Sequence, residues 1–309
     1  MASVEDPVGA EIAERFSKIR CYERGDVRAP HKPLLLLLAL ARVQRRESRL
    51  MPYRALEPEL RSLLEQFGPP TKQQAQPELP FWKLQNDDRL WEVDKHAELL
   101  ELTRDRKKPD FIPAPLLRTQ NPDAGFPPDL DAALRQRPAL VNAIAQSILE
   151  ANFPPSLHEG ILDAVGFPWA PVSGPRQQRD PDFRRVVLRN YEYRCAVCGY
   201  DGRLGSSHLG IEAAHVQWHA FHGPDAPDNG IALCTFHHKA LDLGAIGLDE
   251  SRRILVSSEV NGSNEVNYLL LRHANRSLHP PQAGTAPPAI PHIQWHGREV
   301  FRKPARSST

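Results

Sequence analysis

The densest chemistry in this 309-residue chain lies between Tyr193 and Leu248. A Cys-x-x-Cys (Cys195, Cys198) is answered by a Cys-x-x-His-His (Cys234, His237, His238). His215 and an Asn-Gly pair (Asn229, Gly230) lie between them. Zinc prefers thiolate and imidazole in a closed tetrahedral shell. The knuckles Cys195/Cys198 and Cys234/His237 fit that preference and would hold one structural Zn²⁺. His215, Asn229 and His238 are then left for other chemistry. A redox or disulfide role for Cys195 and Cys198 fits less well. Such a pair belongs to a strand–helix unit, and here a glycine-containing turn (Gly199, Gly202) follows. Cys21, left over from both knuckles, reads as a buried or free thiol.

This pattern resembles the HNH family of nucleases. The resemblance implies two short antiparallel strands and a helix around one catalytic metal. The strands would lie near Arg194–Ala196 and Gly210–Val216, the helix near Cys234–Leu241. Ile211 and Ala213 alternate with Glu212 and Ala214, as in a half-buried strand. Neighbours on a helix point about 100° apart, so His237 can face the zinc while His238 faces the active metal. The resemblance implies phosphodiester hydrolysis. His215 would be the general base, for which an imidazole titrating near neutrality is suited. His238 would bind a divalent cation, Mg²⁺ or Mn²⁺, and Asn229 would fix the loop that orients His215. The family's acidic residue before the first histidine is replaced by Ala214. Glu212 points away from His215 by strand period, so the second metal ligand stays unassigned among Asp228, His219 and His222. His219 and His222 fit better as members of a Pro/Gly surface loop closing on the DNA backbone, with Trp218 packed on the core.

The elements around this motif set its context. The chain is 40% apolar with a net charge of +1, so no global field points to nucleic acid. The stretch Arg15–Arg61 is locally basic, although a charge run alone more often marks a solvated face. The N-terminus lacks the basic and apolar regions of a signal peptide. The block Leu34–Leu40 is too short to span a bilayer, which needs about 20 apolar residues. It reads as a buried core helix with Pro33 in its first turn. Thiolate ligands without a signal peptide favour the cytoplasm.

The stretch Phe167–Pro181 is rich in Pro, Gly and Gln and reads as a linker. It divides a domain at 1–166 from one at 182–309. Helices are expected at Val8–Cys21, Pro33–Arg46, Tyr53–Gln66, Asp129–Arg135, Pro138–Ala151 and Leu157–Val165. A small β unit is expected at Phe81–Leu84 and Leu90–Val93, turning at Asn86-Asp87-Asp88. Beyond the motif, Arg253–Ser257 and Asn267–Leu271 read as strands and Ile293–Arg302 as an amphipathic cap.

The segments RGDVRAPHKPLLLLLAL (Arg24–Leu40), ELPFWKLQNDDRLWEV (Glu78–Val93) and FPPSLHEGILDAVG (Phe153–Gly166) resemble the sulfur-binding domain of restriction endonucleases that recognise phosphorothioated DNA. The resemblance implies a mainly helical domain with its sulfur pocket just before and within Pro80-Phe81-Trp82. Leu79, Pro80 and one of Trp82 or Lys83 would line it, with the basic cluster Arg28, His31 and Lys32 alongside. Arg28 or Lys32 would pair with phosphate, and a basic chain reaching guanine would choose sequence. Sulfur and oxygen carry the same charge here, so an apolar wall must discriminate, at about 1–3 kcal/mol per contact. Ser156 and His158 read as a helix N-cap and first turn.

The fold class expected is α+β, a helical DNA-reading domain joined to a ββα-metal nuclease with a structural zinc. The expected function is a modification-dependent restriction endonuclease acting on double-stranded phosphorothioated DNA, with a homodimer compatible with two cuts. One rival is an HNH endonuclease that reads another modified base or plain sequence. Another is a non-catalytic zinc-containing DNA-binding protein, for which Ala214 is the main support.

Overall fold

The structure, a computed structural model, describes residues 6–19, 30–70, 75–104, 111–168 and 181–306. Cys21, Arg28 and most of the expected linker lie outside the described residues. The chain divides into two compact units, one mostly before residue 175 and one mostly after it.

The first unit is mainly helical. Its helices are α1 (Pro7–Ser17), α2 (His31–Gln44), α3 (Tyr53–Phe67), α4 (Glu78–Lys83), α5 (His96–Glu101), α6 (Ala114–Gln120), α7 (Pro128–Arg135), α8 (Pro138–Asn152) and α9 (Pro155–Ala164). Three short strands, β1 (Met51–Pro52), β2 (Glu92–Val93) and β3 (Asp123–Gly125), form one antiparallel sheet with β3 central. The leucine block is the axis of this unit. Leu34 to Leu37 and Leu40 are fully shielded from solvent, so the leucine block of α2 is apolar all round, as a segment at the centre of a core must be. On α3, Leu56, Leu60, Leu63, Leu64 and Phe67 recur at helical spacing on the buried face.

The basic run has an internal use. Arg15 donates to the carbonyls of Asp88 and Arg89, and Arg45 to those of Val165 and Gly166. Arg49 holds Glu92 and the Phe126 carbonyl, and Arg61 holds Glu57. Arg15, Arg45 and Arg49 thereby tie segments distant in sequence, because one planar fork can satisfy two acceptors at once. They are a scaffold as much as a charged surface.

The expected strand at Phe81–Leu84 is a helix, α4, continued by a 3₁₀ turn at Leu84–Asn86. Pro77 and Pro80 explain the correction: a proline lacks only an N–H that a first helical turn leaves unpaired, whereas it interrupts a ladder. The turn after it stands, with Asp88 and Arg89 at positive φ. Only Glu92–Val93 of the second expected strand is extended, and it pairs with β3 instead.

The second unit comprises α10 (Pro181–Asn190), the small hairpin β4 (Arg203–Leu204) and β5 (Ser207–His208), the hairpin β6 (Ile211–His215) and β7 (Gly230–Cys234), α11 (Thr235–Asp242), the hairpin β8 (Ile246–Leu248) and β9 (Ile254–Val256), α12 (Asn264–Leu269) and α13 (Ile290–Glu299). β6 and β7 run antiparallel, with Ile211 opposite Cys234 and His215 opposite Gly230. Arg194–Ala196 is therefore not the first strand of the motif. It curls into a turn in which Gly199 donates to the Cys195 carbonyl at φ +76°. An extended strand would point the two sulfurs apart, and the turn points them together. Asn267–Leu271 is also corrected, from strand to the end of α12 and a following 3₁₀ turn. Val266, Leu269 and Leu270 satisfy a helical period as well as an alternating one, an ambiguity typical of short apolar runs. The amphipathic cap is α13, with Ile293 and Trp295 buried.

Candidate metal centre and nuclease site

The Cys-x-x-Cys turn meets the start of α11, where Cys234 and His237 are three residues apart. Donor atoms of Cys195, Cys198, Cys234 and His237 lie within 4.8 Å of one another. His237 Nδ1 is 3.1 Å from Cys234 Sγ and 3.6 Å from Cys195 Sγ. His237 Nε2 donates to the Leu269 carbonyl at 2.8 Å, which orients the ring with Nδ1 toward the sulfurs. The four donors make a Cys₃His set of the kind structural zinc takes.

The electrostatics agree. Hydrogen bonds from Cys198 and then Cys234 hold the Cys195 thiol well below its usual range. Burial pushes His237 down, but hydrogen bonds to Cys195 and Cys198 outweigh it and lift the ring to about 9. A thiolate beside an imidazolium is the charge pattern a divalent cation would replace. His273 lies edge-on to His237 at 5.7 Å. Burial, then the charges on His237 and Arg272, push it down to about 4 and keep it neutral.

His215 ends β6 in a different environment. Its Nε2 is 2.7 Å from Asp225 Oδ1, and His219 Nδ1 is 3.5 Å from the same oxygen. Phe183 of α10 stacks on the His215 ring at 4.0 Å and 9°. Across the ladder, a Cβ on Gly230 would stand 2.2 Å from Val187 and 3.0 Å from Phe183. Glycine is needed there for close approach of α10, not for an unusual φ. Asn229 is wholly buried. It accepts from the Gln217 amide (2.8 Å) and donates to the carbonyls of Gln217 (2.9 Å) and Pro224 (3.0 Å). It thereby pins both ends of the loop that carries His219 and Asp225. Trp218 is buried against Trp295 at 5.9 Å.

His238 points elsewhere. Its Nδ1 is 2.6 Å from Glu212 Oε2, and its Nε2 is 3.2 Å from Asp242 Oδ2. Alternation along β6 puts Glu212 and His215 on opposite faces of the hairpin, with α11 over one and α10 over the other. Among the described residues, His215 and His238 do not fall into one donor group. His215 instead groups with His219 and Asp225, whose donor atoms lie within 4.8 Å of one another. The sequence reading placed His219 on a surface loop closing on the DNA backbone, with ligation as the alternative, and overlooked Asp225. Its only signal is a position inside the turn-forming Gly223-Pro224-Asp225.

In the first unit, Leu79 and Lys83 are half-buried and four residues apart on α4, which puts them on one face. Pro80 is buried, and Trp82 stacks on His96 at 4.9 Å and 9°. Of the two alternatives, Lys83 is thus the one beside Leu79. The Lys32 ammonium is 2.5 Å from the buried Asp87 carboxylate. Burial holds the His31 ring below its usual titration range, so near neutral pH it is an uncharged donor or acceptor. The expected basic cluster is therefore a compensated pair and a neutral ring, with Arg28 outside the described residues.

The sequence pattern of the ScoMcrA-like DNA sulfur-binding domain matches residues 9–169, and that of an HNH endonuclease, HNH_2, matches residues 195–249. No curated protein matches the chain. Among solved structures, the chain is similar to the sulfur binding domain of ScoMcrA complexed with phosphorothioated DNA, at 26% identity and a TM-score of 0.43, covering 50% of this chain and 94% of that one. The Type IV phosphorothioation-dependent restriction endonuclease ScoMcrA is similar at 27% identity and a TM-score of 0.41, covering 58% of this chain and 38% of that one. The sulfur binding domain of SprMcrA complexed with phosphorothioated DNA is similar at 18% identity and a TM-score of 0.41, covering 52% of this chain and 94% of that one. No helix among the described residues is long and apolar enough to cross a membrane.

Proposed function

Because the chain belongs to the ScoMcrA-like DNA sulfur-binding domain family and carries an HNH endonuclease domain, we propose that it reads a phosphorothioate in double-stranded DNA and hydrolyses phosphodiesters near it. The observation that carries this reading is His215, oriented by Asp225 at the end of a hairpin whose following helix begins in a Cys₃His set. A carboxylate only accepts hydrogen bonds. Asp225 therefore holds the His215 proton on Nε2 and makes Nδ1 the basic nitrogen. Nδ1 takes the proton of the attacking water, a role typically worth about 10²–10⁴ in rate. Asn229 acts through the loop, by holding Asp225 in register. Cys195, Cys198, Cys234 and His237 would hold Zn²⁺, which would staple α11 to the Cys195–Cys198 turn. Glu212 with His238 is the carboxylate–imidazole pair that would take Mg²⁺ or Mn²⁺. Such a cation, when bound, supplies charge stabilisation at the phosphate and the leaving oxygen.

In the reader, Leu79 offers sulfur an apolar wall, and Lys83 one turn later offers a cation to the negative charge that the thio-modified and ordinary phosphates share. Sulfur accepts hydrogen bonds weakly, so losing water there costs it less than it costs oxygen. The test is cleavage of matched plasmids with and without phosphorothioate, in Mg²⁺ or Mn²⁺, with His215→Ala as control. Cutting only of the modified plasmid by wild type is expected, and equal cutting of both would refute the reader assignment. A second reading, a zinc-containing DNA-binding protein that does not cut, is favoured by the separate surroundings of His215 and His238. It prevails if no substrate is cut in either metal.

A further inference from the structure

We infer that His215, His219 and Asp225 form a second metal site, selective for transition-metal ions such as Zn²⁺, and that filling it turns the nuclease off. The switching half of this inference rests on His215 being the base.

The donors are two imidazoles and one carboxylate, within 4.8 Å of one another. Imidazole suits zinc, nickel and copper, whereas Mg²⁺ is held through oxygen ligands and keeps most of its waters. A cation drawn here is thus of a different class from one that assists at a phosphate. The three donors come from the strand end and one loop, and that loop is held in place. Asn229 bonds to both Gln217 and Pro224. His222 turns the chain at φ +61°, and a Cβ on Gly223 would stand 1.9 Å from the Gln217 carbonyl oxygen. The site is therefore arranged before any ion arrives. His215 is mostly covered, at 12% side-chain exposure, while His219 is 63% exposed, so an ion can enter from the His219 side.

The effect on chemistry follows from the ring's single proton. With Asp225 accepting from Nε2, that proton sits on Nε2 and the lone pair on Nδ1. A metal ion on Nε2 takes the Nε2 lone pair, and the proton moves to Nδ1. No atom is gained or lost, but the ring has no lone pair left for water. His219 holds the ion without taking part in the proton transfer, so its variant is read against its own zinc-free rate.

The experiment titrates the full chain with Co²⁺ and reads its absorption. A thiolate site shows intense sulfur-to-cobalt charge transfer, and a His₂Asp site shows only weak d–d bands. Wild type is expected to show both signatures, and His219→Ala the thiolate signature alone. In Mn²⁺-supported cleavage, added Zn²⁺ should inhibit wild type. Measured against its own zinc-free rate, His219→Ala should need at least about tenfold more Zn²⁺ for the same inhibition, since losing even an outer partner of a metal ligand costs about 10–100-fold in affinity. A wild type that shows only the thiolate signature overturns the site. So does a His219→Ala protein that keeps both signatures. Equal Zn²⁺ inhibition of both proteins overturns the switch. If wild type cuts nothing, the nuclease reading fails by itself, and the cobalt spectra still decide the site.

Discussion

The two units keep their shape by different means. The first has α2, with its buried leucine block, at its centre, and arginines bind distant carbonyls and carboxylates around it. The second packs short hairpins and helices around a core that includes Ile211, Leu233 and Ile246, and the turn at Cys195–Cys198 meets α11 in a metal-donor set. Many modest interactions spread the risk in one unit. In the other, a metal held by one donor set would concentrate it. A unit of the first kind should lose stability in small steps, and one of the second kind all at once.

Cys195→Ser should break this contrast most sharply. Structural zinc contributes on the order of 10 kcal/mol to folding, so the second unit should become protease-sensitive and lose its metal while the first stays resistant. Limited proteolysis with metal analysis reads both. His215→Ala comes next, with an expected rate loss of about 10²–10⁴ and unchanged DNA binding in a gel shift. Residual wild-type cutting would remove His215 as the base. Asn229→Ala leaves the loop's amide and carbonyls without their partner, at a cost of about 1–3 kcal/mol. Denaturant unfolding should show that loss together with slower cleavage.

In the first unit, Glu57→Gln should cost about 1.5–3 kcal/mol, since Glu57 receives charged hydrogen bonds from Arg118 and Arg61. The Arg118 hydrogen bond, outweighing burial with help from Arg61, holds the Glu57 carboxyl below its usual 4.5. Folded Glu57 therefore binds its proton less readily than unfolded Glu57. Its stabilisation is complete above about pH 4.5, fades as pH falls through the lowered folded value, and should be absent from the acid limb of the Glu57→Gln curve. The smallest effect is expected from Leu79→Ala. It should weaken binding to phosphorothioated duplex about tenfold, as one apolar contact allows, and leave ordinary duplex unchanged. An equal loss on both duplexes would take Leu79 out of the sulfur site.

The same contrast governs what could be read in advance. Cys195, Cys198, Cys234 and His237 were legible because metal chemistry fixes residue type and local spacing together. The leucine helix was legible because a continuous apolar run of that length has few places to go. The strand at Phe81–Leu84 was misread because apolar residues over so few positions fit either period, and Pro77 and Pro80 decided in favour of helix. Asp225 was missed because its role depends on a loop folding back by several residues. No periodicity announces that. The pairing of His238 with Glu212 was likewise hidden, since it needs the face of β6 that α11 covers, and the first strand had been placed at Arg194–Ala196.

Gly230 has one further consequence. The absent methyl lets Val187 and Phe183 settle directly on the ladder, and Phe183 in turn lies flat on the His215 ring. A single hydrogen atom at position 230 thus sets the tilt of an imidazole on the neighbouring strand. Gly230→Ala would push the phenyl ring outward and let the imidazole rock, while changing neither His215 itself nor Asp225, its partner.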